Sequence, residues 1–97
     1  MTIREALISM GYREAKPGHW LKPVGFVLFS YHEGKNEWAN WFRSAQGKIE
    51  CWEMKALEKD EEQFGTYLRQ LKHLECWTRT DLYINADSAF ELSAIDL

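Results

Sequence analysis

The sequence has few of the residues that build small disulfide-rich or membrane-spanning proteins. Its 97 residues include two cysteines, Cys51 and Cys76, which are too few for a disulfide framework and do not form a C-x-x-C pair. No apolar run approaches the roughly 18–20 residues of a transmembrane helix, and the first residues lack the apolar stretch of a signal peptide. We therefore expect free thiols and a cytoplasmic protein with no membrane partner.

Recognisable catalytic and ligand-binding motifs are also lacking. The six glycines are dispersed along the chain and form no phosphate-binding loop. His19, His32 and His73 have no further ligands at zinc-site spacing. Cys76 lies three residues after His73, but a nucleophilic site also needs an oriented base and an oxyanion hole, for which the sequence shows no signal. We therefore predict no catalytic residue, no metal and no cofactor, and expect a binding protein instead of an enzyme.

Aromatic residues are abundant for so short a chain. Five Trp, five Phe and four Tyr accompany an apolar content of 45%. Each large aromatic side chain buries about 150–250 Å², so a core can form without disulfides or metal. The length predicts a single domain over residues 1–97.

The residue pattern predicts an α+β fold with a helix at each end of an antiparallel β-meander. Thr2 and Glu5 form a capping box before a helix over residues 3–10, and Gly11 suits the left-handed position that follows a helix. The meander has three to five strands, because β-forming runs alternate with turn signals. The predicted strands cover residues 12–15, 19–21, 26–31, 38–43 and 49–54.

The second half of the chain predicts a longer amphipathic helix over residues 60–76. Asp60 is placed to cap it, and an apolar stripe runs along one face. Short strands at 82–84 and 90–92 follow in the tail. No internal repeat or low-complexity segment interrupts this order.

The Trp-rich part of the meander allows three interpretations. Residues alternate between the two faces of a strand, so Trp38 and Phe42 point to one face and Trp41 points to the other. One of the two sets is therefore expected to face away from the main core. Such side chains can be ordinary core, protein-interface anchors, or a platform on which single-stranded bases stack near Arg43. The residue pattern favours the core interpretation and leaves the other two open.

The acidic segment, residues 50–62, carries a formal charge of −4, whereas the whole chain nets −3. One interpretation is a solvated outer face, since like charges on a helix surface cost little. The alternative, functional interpretation is a row of carboxylates that imitates phosphates and competes for a basic protein groove. A mildly acidic chain does not itself favour nucleic-acid binding, which requires a basic face.

From Thr2-Ile3-Arg4-Glu5 through the Trp-rich meander to the acidic segment, the chain resembles small phage or prophage anti-CRISPR proteins. In particular it is similar to inhibitors of type I-F surveillance complexes, which share no common motif. The resemblance implies a stoichiometric inhibitor that binds subunits of the complex and blocks recognition of target DNA. Residue roles do not come from the resemblance and are assigned by charge and aromatic character.

These observations define the expected site and its rival. We expect the protein to bind a host protein complex directly, without contacting nucleic acid. The rival hypothesis is a single-stranded nucleic-acid-binding module that uses Trp38, Trp41 and Arg43. The predicted partner-binding residues are Glu50, Glu53, Glu58, Asp60, Glu61, Glu62, Trp38 and Trp41.

Overall fold

A computed structural model of the protein describes residues 2–25, 27–58 and 64–77. Within them, an N-terminal helix precedes a five-stranded antiparallel sheet, and a second helix follows it, which confirms the predicted α+β fold. The elements are α1 (Ile3–Ser9), β1 (Arg13–Lys16), β2 (His19–Val24), β3 (Val27–His32), β4 (Glu37–Arg43), β5 (Ile49–Ala56) and α2 (Phe64–Trp77). None of the helices described is long and apolar enough to cross a membrane.

Helix α1 begins at the predicted residue and ends at Ser9, one residue before the predicted end. The Thr2 hydroxyl accepts a hydrogen bond from the backbone N–H of Glu5 at 3.3 Å, which satisfies one of the donors left free at a helix start. Gly11 adopts φ +92° just after the helix, a conformation that glycine tolerates because it has no Cβ. The helix end is therefore set by local sequence.

The sheet is a simple meander with the strand order β1-β2-β3-β4-β5. Strand β3 lies at its centre and is largely buried. Strand β2 continues to Val24. Its pairing with β1 ends earlier, at Leu21, which lies opposite Arg13, the first residue of β1. Pro23 therefore lies past the end of the described β1 ladder, which is compatible with a residue that cannot donate to a ladder.

Both helices contribute to one core, on what we call the helix side of the sheet. Ala6 and Leu7 of α1 and Tyr67 and Leu71 of α2 belong to a single buried cluster. The sheet residues of this cluster include Trp20, Val27, Phe29, Tyr31 and Trp38. Because neighbouring strand residues point to opposite faces, cross-strand partners of these residues also lie on the helix side.

The opposite face of the sheet carries a second, smaller apolar set. Leu28 is fully buried and Leu21 and Ala39 are 3% exposed, and their register places them on the side away from the main core. Trp41 lies on this second face beside Leu28, with which it pairs across the strands. The sheet is thus apolar on both sides at its centre.

Polar contacts attach both helices to the sheet. The Arg4 guanidinium of α1 contacts the carboxylates of Glu14 at 2.9 Å and Glu33 at 3.1 Å. On α2, the Glu75 carboxylate accepts a hydrogen bond from the Lys22 ammonium at 2.8 Å. Each helix is therefore oriented by ion pairs in addition to apolar packing.

Helix α2 runs from Phe64 to Trp77, within and just beyond the predicted 60–76. The predicted Asp60 cap lies outside the described residues, as do the predicted strands at 82–84 and 90–92. Strand β5 continues to Ala56, two residues beyond the predicted end.

Candidate functional site

Strand β5 is the last of the described strands in the sheet order and carries the described part of the acidic segment. Glu50 lies opposite Phe42 and Glu53 lies opposite Asn40, so both point to the helix side. Glu50 is exposed and Glu53 is partly exposed. Two predicted partner-binding residues thus share one face of a solvent-exposed strand.

The next carboxylate, Glu58, is positioned by helix α2. Its backbone N–H donates to Oε1 of Gln70 at 2.7 Å, and Nε2 of Gln70 donates back to the Glu58 carbonyl oxygen at 3.3 Å. The residue is exposed. These bonds hold Glu58 beside α2, at the same margin as Glu50 and Glu53, and we call these three residues the acidic edge.

The rest of the predicted acidic site lies outside the described residues. Asp60, Glu61 and Glu62 belong to the segment 59–63, between β5 and α2. The structure therefore places three of the six predicted acidic residues along one strand and its continuation, and the positions of the other three stay predictions.

A β-bulge lies in the middle of the acidic edge. Trp41 pairs with Cys51 whereas Asn40 pairs with Glu53, so Trp52 is an extra residue in β5. The side-chain Oδ1 of Asn40, which is 2% exposed, accepts a hydrogen bond from the Glu53 N–H at 2.7 Å. A buried side-chain oxygen thus takes the place of a backbone acceptor. This hydrogen bond holds the bulge at this position in β5.

The bulge exposes an aromatic residue that was not among the predicted site residues. Trp52 is 40% exposed, and its ring meets the edge of Phe42 with centroids 6.0 Å apart. Met54, two residues on, is 52% exposed. The imperfect alternation of Ile49-Glu-Cys-Trp-Glu-Met54 in the sequence was the available signal for this bulge, because a regular half-buried strand alternates strictly.

A shallow cleft separates β5 from α2. It has a volume of about 220 Å³ and is lined by Glu53, Lys55, His73 and Leu74. Lys55 lies opposite Trp38 and therefore on the helix side, like Glu53. The cleft wall contains groups of both signs, so the acidic edge is not uniformly negative along its length.

Trp38 is a correction to the predicted site. Its side chain is 1% exposed, stacks on Phe29 with centroids 5.6 Å apart, and donates its indole N–H to the Tyr12 hydroxyl at 3.0 Å. It belongs to the main core. A side chain buried in this way contacts no partner without repacking the core, so the prediction of Trp38 as a partner-binding residue is wrong.

Trp41 lies on the second face of the sheet and is partly exposed. Its indole Nε1 donates to the Ser30 hydroxyl at 2.7 Å. Arg43 donates to the Gly47 carbonyl oxygen at 2.9 Å, within the β4–β5 turn. Trp38 and Trp41 therefore face opposite sides of the sheet, and the base-stacking platform of the rival hypothesis is not formed by this pair.

Among the described residues, no three His, Cys, Asp or Glu side chains lie close enough to hold a metal ion. His19 and His32 pack edge to face with ring centroids 4.2 Å apart. Desolvation, followed by the charges of His32, Lys16 and Lys35, lowers the pKa of His19. This histidine therefore remains neutral at pH values where an isolated histidine begins to protonate.

The Cys51 thiol does not resemble an activated nucleophile. Desolvation, followed by the negative charge of Glu37, raises the pKa of the Cys51 thiol, which disfavours the reactive thiolate. Cys51 and Cys76 are both free and exposed. The most distinctive surface in the described part of the chain is therefore the acidic edge with Trp52.

Comparison with known proteins gives no relative for this chain. No protein-family model matches it, and neither a curated protein nor a solved structure does. The interpretation of the site consequently rests on the chemistry of the residues described above.

Proposed function

We propose that this protein is a stoichiometric inhibitor that binds the basic, nucleic-acid-binding surface of another protein through the acidic edge. The observation that supports this most directly is the placement of Glu50, Glu53 and Glu58 along one exposed margin of the sheet. A basic groove attracts carboxylates for the same reason that it attracts phosphates, since both neutralise its charge.

The proposed target is the type I-F CRISPR surveillance complex, in the cytoplasm of a host cell. The resemblance to inhibitors of that complex supports it, as does the charge of −4 over residues 50–62. Occupation of the surface that first contacts target DNA would block duplex recognition without any chemical reaction. The proposal therefore requires no catalytic residue and no cofactor.

Trp52 is the proposed apolar anchor of the interface. Interfaces combine a few aromatic anchors with a polar rim, and the exposed indole of Trp52 lies in the strand between Glu50 and Glu53. This arrangement supports a protein partner more than a nucleic-acid partner, because phosphates are repelled by the adjacent carboxylates.

The nucleic-acid hypothesis receives less support from the same geometry. It needs at least two aromatic side chains on one accessible surface next to a cation. Trp38 is buried on the helix side and Trp41 lies on the second face. We therefore retain the inhibitor as the proposed function.

Titration of the protein into a purified type I-F complex tests the proposal. We expect binding of a fluorescent target duplex to be lost near equimolar protein, and this inhibition to weaken as the salt concentration rises. If duplex binding is undiminished at a large excess of protein, the proposed target is wrong. An oligonucleotide added to the protein alone should cause no salt-dependent quenching of tryptophan fluorescence.

Charge-reversal variants test the role of the acidic edge. We expect Glu50→Lys with Glu58→Lys to weaken inhibition at least tenfold, since two attractive contacts become repulsive. The control reverses Glu37, which lies on the second face of the sheet. A separate reversal of Asp60, Glu61 and Glu62 tests the remaining predicted residues. Inhibition that survives both site variants, with the fold intact by circular dichroism, contradicts carboxylate mimicry.

A further inference from the structure

We propose that His32 is a pH-sensitive switch for the β3–β4 turn, which it holds when its imidazole is neutral and releases when the imidazole takes up a proton. The turn covers residues 33–36, between β3 and β4. The backbone N–H of Lys35 donates a hydrogen bond to Nδ1 of His32 at 3.2 Å. The ring also packs closely on the turn, since a Cβ at Gly34 would lie 3.1 Å from Cε1 of His32.

The hydrogen bond from Lys35 depends on the protonation state of His32. A neutral imidazole has one ring nitrogen that accepts a hydrogen bond, whereas both nitrogens of the protonated ring are donors. Protonation of His32 therefore removes the acceptor of the Lys35 N–H. Histidine is the side chain whose ordinary change of charge falls between about pH 5 and 8, so the switch operates near neutral pH.

A protonated His32 has a second partner on the same face of the sheet. Glu37 lies directly opposite His32 in the β3–β4 ladder, and the Cβ atoms of such cross-strand partners are about 4.5–5.5 Å apart. The Glu37 carboxylate attracts the protonated ring and has no comparable attraction for the neutral ring. His32 therefore has two alternative partners, the Lys35 N–H when it is neutral and Glu37 when it is protonated.

The groups on the other side of the ring favour the same change of partner. His19 lies opposite His32 in the β2–β3 ladder, with ring centroids 4.2 Å apart, and Lys16 lies opposite His19. Desolvation lowers the pKa of His19, as do the charges of His32, Lys16 and Lys35. His19 therefore stays neutral as His32 takes up a proton. The two lysines repel the protonated ring of His32, whereas Glu37 attracts it.

A further carboxylate, Glu33, follows His32 in the chain but is held by other groups. Its Oε1 accepts a hydrogen bond from the Trp20 indole N–H at 2.6 Å and contacts the Arg4 guanidinium at 3.1 Å. These contacts hold the Glu33 carboxylate toward Trp20, on the helix side, whereas His32 and Glu37 lie on the second face. Glu37 is therefore the carboxylate that the protonated ring contacts.

Release of the turn reaches the end of strand β5 through Asn36. The side-chain Nδ2 of Asn36 donates to the Leu57 carbonyl oxygen at 2.7 Å, and the Leu57 N–H donates to the Asn36 carbonyl oxygen at 3.0 Å. Asn36 has a φ of +53°, a left-handed conformation that is uncommon outside glycine. Leu57 directly precedes Glu58, so release of the turn loosens the end of the acidic edge.

Amide hydrogen exchange of the full chain, followed by NMR and corrected for the intrinsic exchange rate, tests the switch. Protection of the Lys35 and Leu57 amides should fall at least about fivefold between pH 8 and pH 5.5, the effect of losing one neutral hydrogen bond. The loss should follow the titration of the His32 ring resonances. Amides at the centre of β3 should keep their protection over the same range.

A matched pair of histidine variants assigns the effect to one residue. His32→Asn keeps a side-chain acceptor and cannot be protonated, so we expect the Lys35 and Leu57 amides to be equally protected at both pH values. His73→Asn makes the same substitution on α2 and should retain the full loss of protection. Glu37→Gln removes the charged partner of the protonated ring and should reduce the loss.

Equal protection of the Lys35 amide at the two pH values in the wild-type chain overturns the switch. A loss of protection that persists in His32→Asn, or that follows the titration of His19 instead of His32, also overturns it. A change at Lys35 that leaves Leu57 fully protected overturns the connection to β5. If His32→Asn does not fold, the wild-type titration decides. None of these measurements involves inhibition, so the switch is tested independently of the proposed function.

Discussion

The indole N–H of Trp38 donates a hydrogen bond to the hydroxyl of Tyr12 at 3.0 Å, in the interior of the protein. The same hydroxyl donates to the Glu75 carboxylate at 2.9 Å, and Glu75 also contacts Lys22. A polar chain therefore runs from the core on β4 to an ion pair on α2. In the described part of the chain, no buried side-chain nitrogen or oxygen lacks a hydrogen-bond partner.

This relationship predicts that Tyr12 and Trp38 are energetically coupled. Tyr12→Phe removes the acceptor of a buried indole N–H and a donor to Glu75, so we expect it to lower the free energy of unfolding by about 1–3 kcal/mol. Trp38→Phe also removes buried apolar volume and should cost about 2 kcal/mol or more. Urea denaturation of both single variants and the double variant measures the coupling.

The double variant is expected to lose less stability than the two single variants together, because the hydrogen bond is lost once. Lys22→Met is a control that breaks the ion pair with Glu75 and leaves the Tyr12–Trp38 bond in place. Strict additivity of the Tyr12 and Trp38 effects would show that the bond contributes nothing measurable.

A second prediction concerns Asn40 and the bulge in β5. Asn40→Leu removes the buried Oδ1 that accepts the Glu53 N–H, and leaving that donor without a partner costs about 1–3 kcal/mol. We expect the Glu53 amide to exchange with solvent hydrogen much faster in the variant, with smaller changes in β3. Hydrogen exchange monitored by NMR measures this residue by residue.

Ser30→Ala is the matched control for Asn40. It removes a side-chain acceptor of a partly buried indole on the second face of the sheet, the Trp41–Ser30 bond. Exchange of the Glu53 amide should be unchanged in this control. If the Glu53 amide exchanges as slowly in Asn40→Leu as in the wild-type protein, the Asn40 side chain does not hold the bulge.

Tyr31 gives a prediction for alkaline pH. Burial, followed by the charges of Tyr67 and Glu33, raises the pKa of Tyr31 from 10.0 to about 12. The folded state therefore favours the protonated phenol, and its contribution is fully present below pH 10 and is lost as the pH rises toward 12. Two pKa units correspond to about 2–3 kcal/mol of unfolding free energy.

Tyr31→Phe isolates this contribution from the other tyrosines. The variant is expected to lose the hydrogen bond from the Tyr31 hydroxyl to Asn36 Oδ1, at 2.5 Å, and to be less stable at pH 8. Between pH 9 and 11.5 its stability should fall less steeply than that of the wild type, as followed by urea denaturation. Parallel pH profiles would contradict a raised pKa at Tyr31.

The local elements were largely predictable because their signals are local. Thr2 with Glu5 marked the start of α1, Gly11 marked its end, and the turn residues separated the strands. The meander followed because short turns between β-forming runs favour antiparallel neighbours. The aromatic residues of the site were harder to predict. The alternation of strand residues places Trp38 and Trp41 on opposite faces of the sheet, but it does not indicate which face the helices cover.

By itself, the sequence determined the α+β order of elements and the clustering of negative charge in residues 50–62. The tertiary structure decided that Trp38 belongs to the core, because α1 and α2 both pack on its side of the sheet. It also decided that Glu53 and Lys55 share a face with Glu50, since the bulge at Trp52 resets the alternation of β5. Burial and bulges depend on contacts between residues distant in the chain, such as Asn40 with Glu53. Local residue propensities do not predict such contacts.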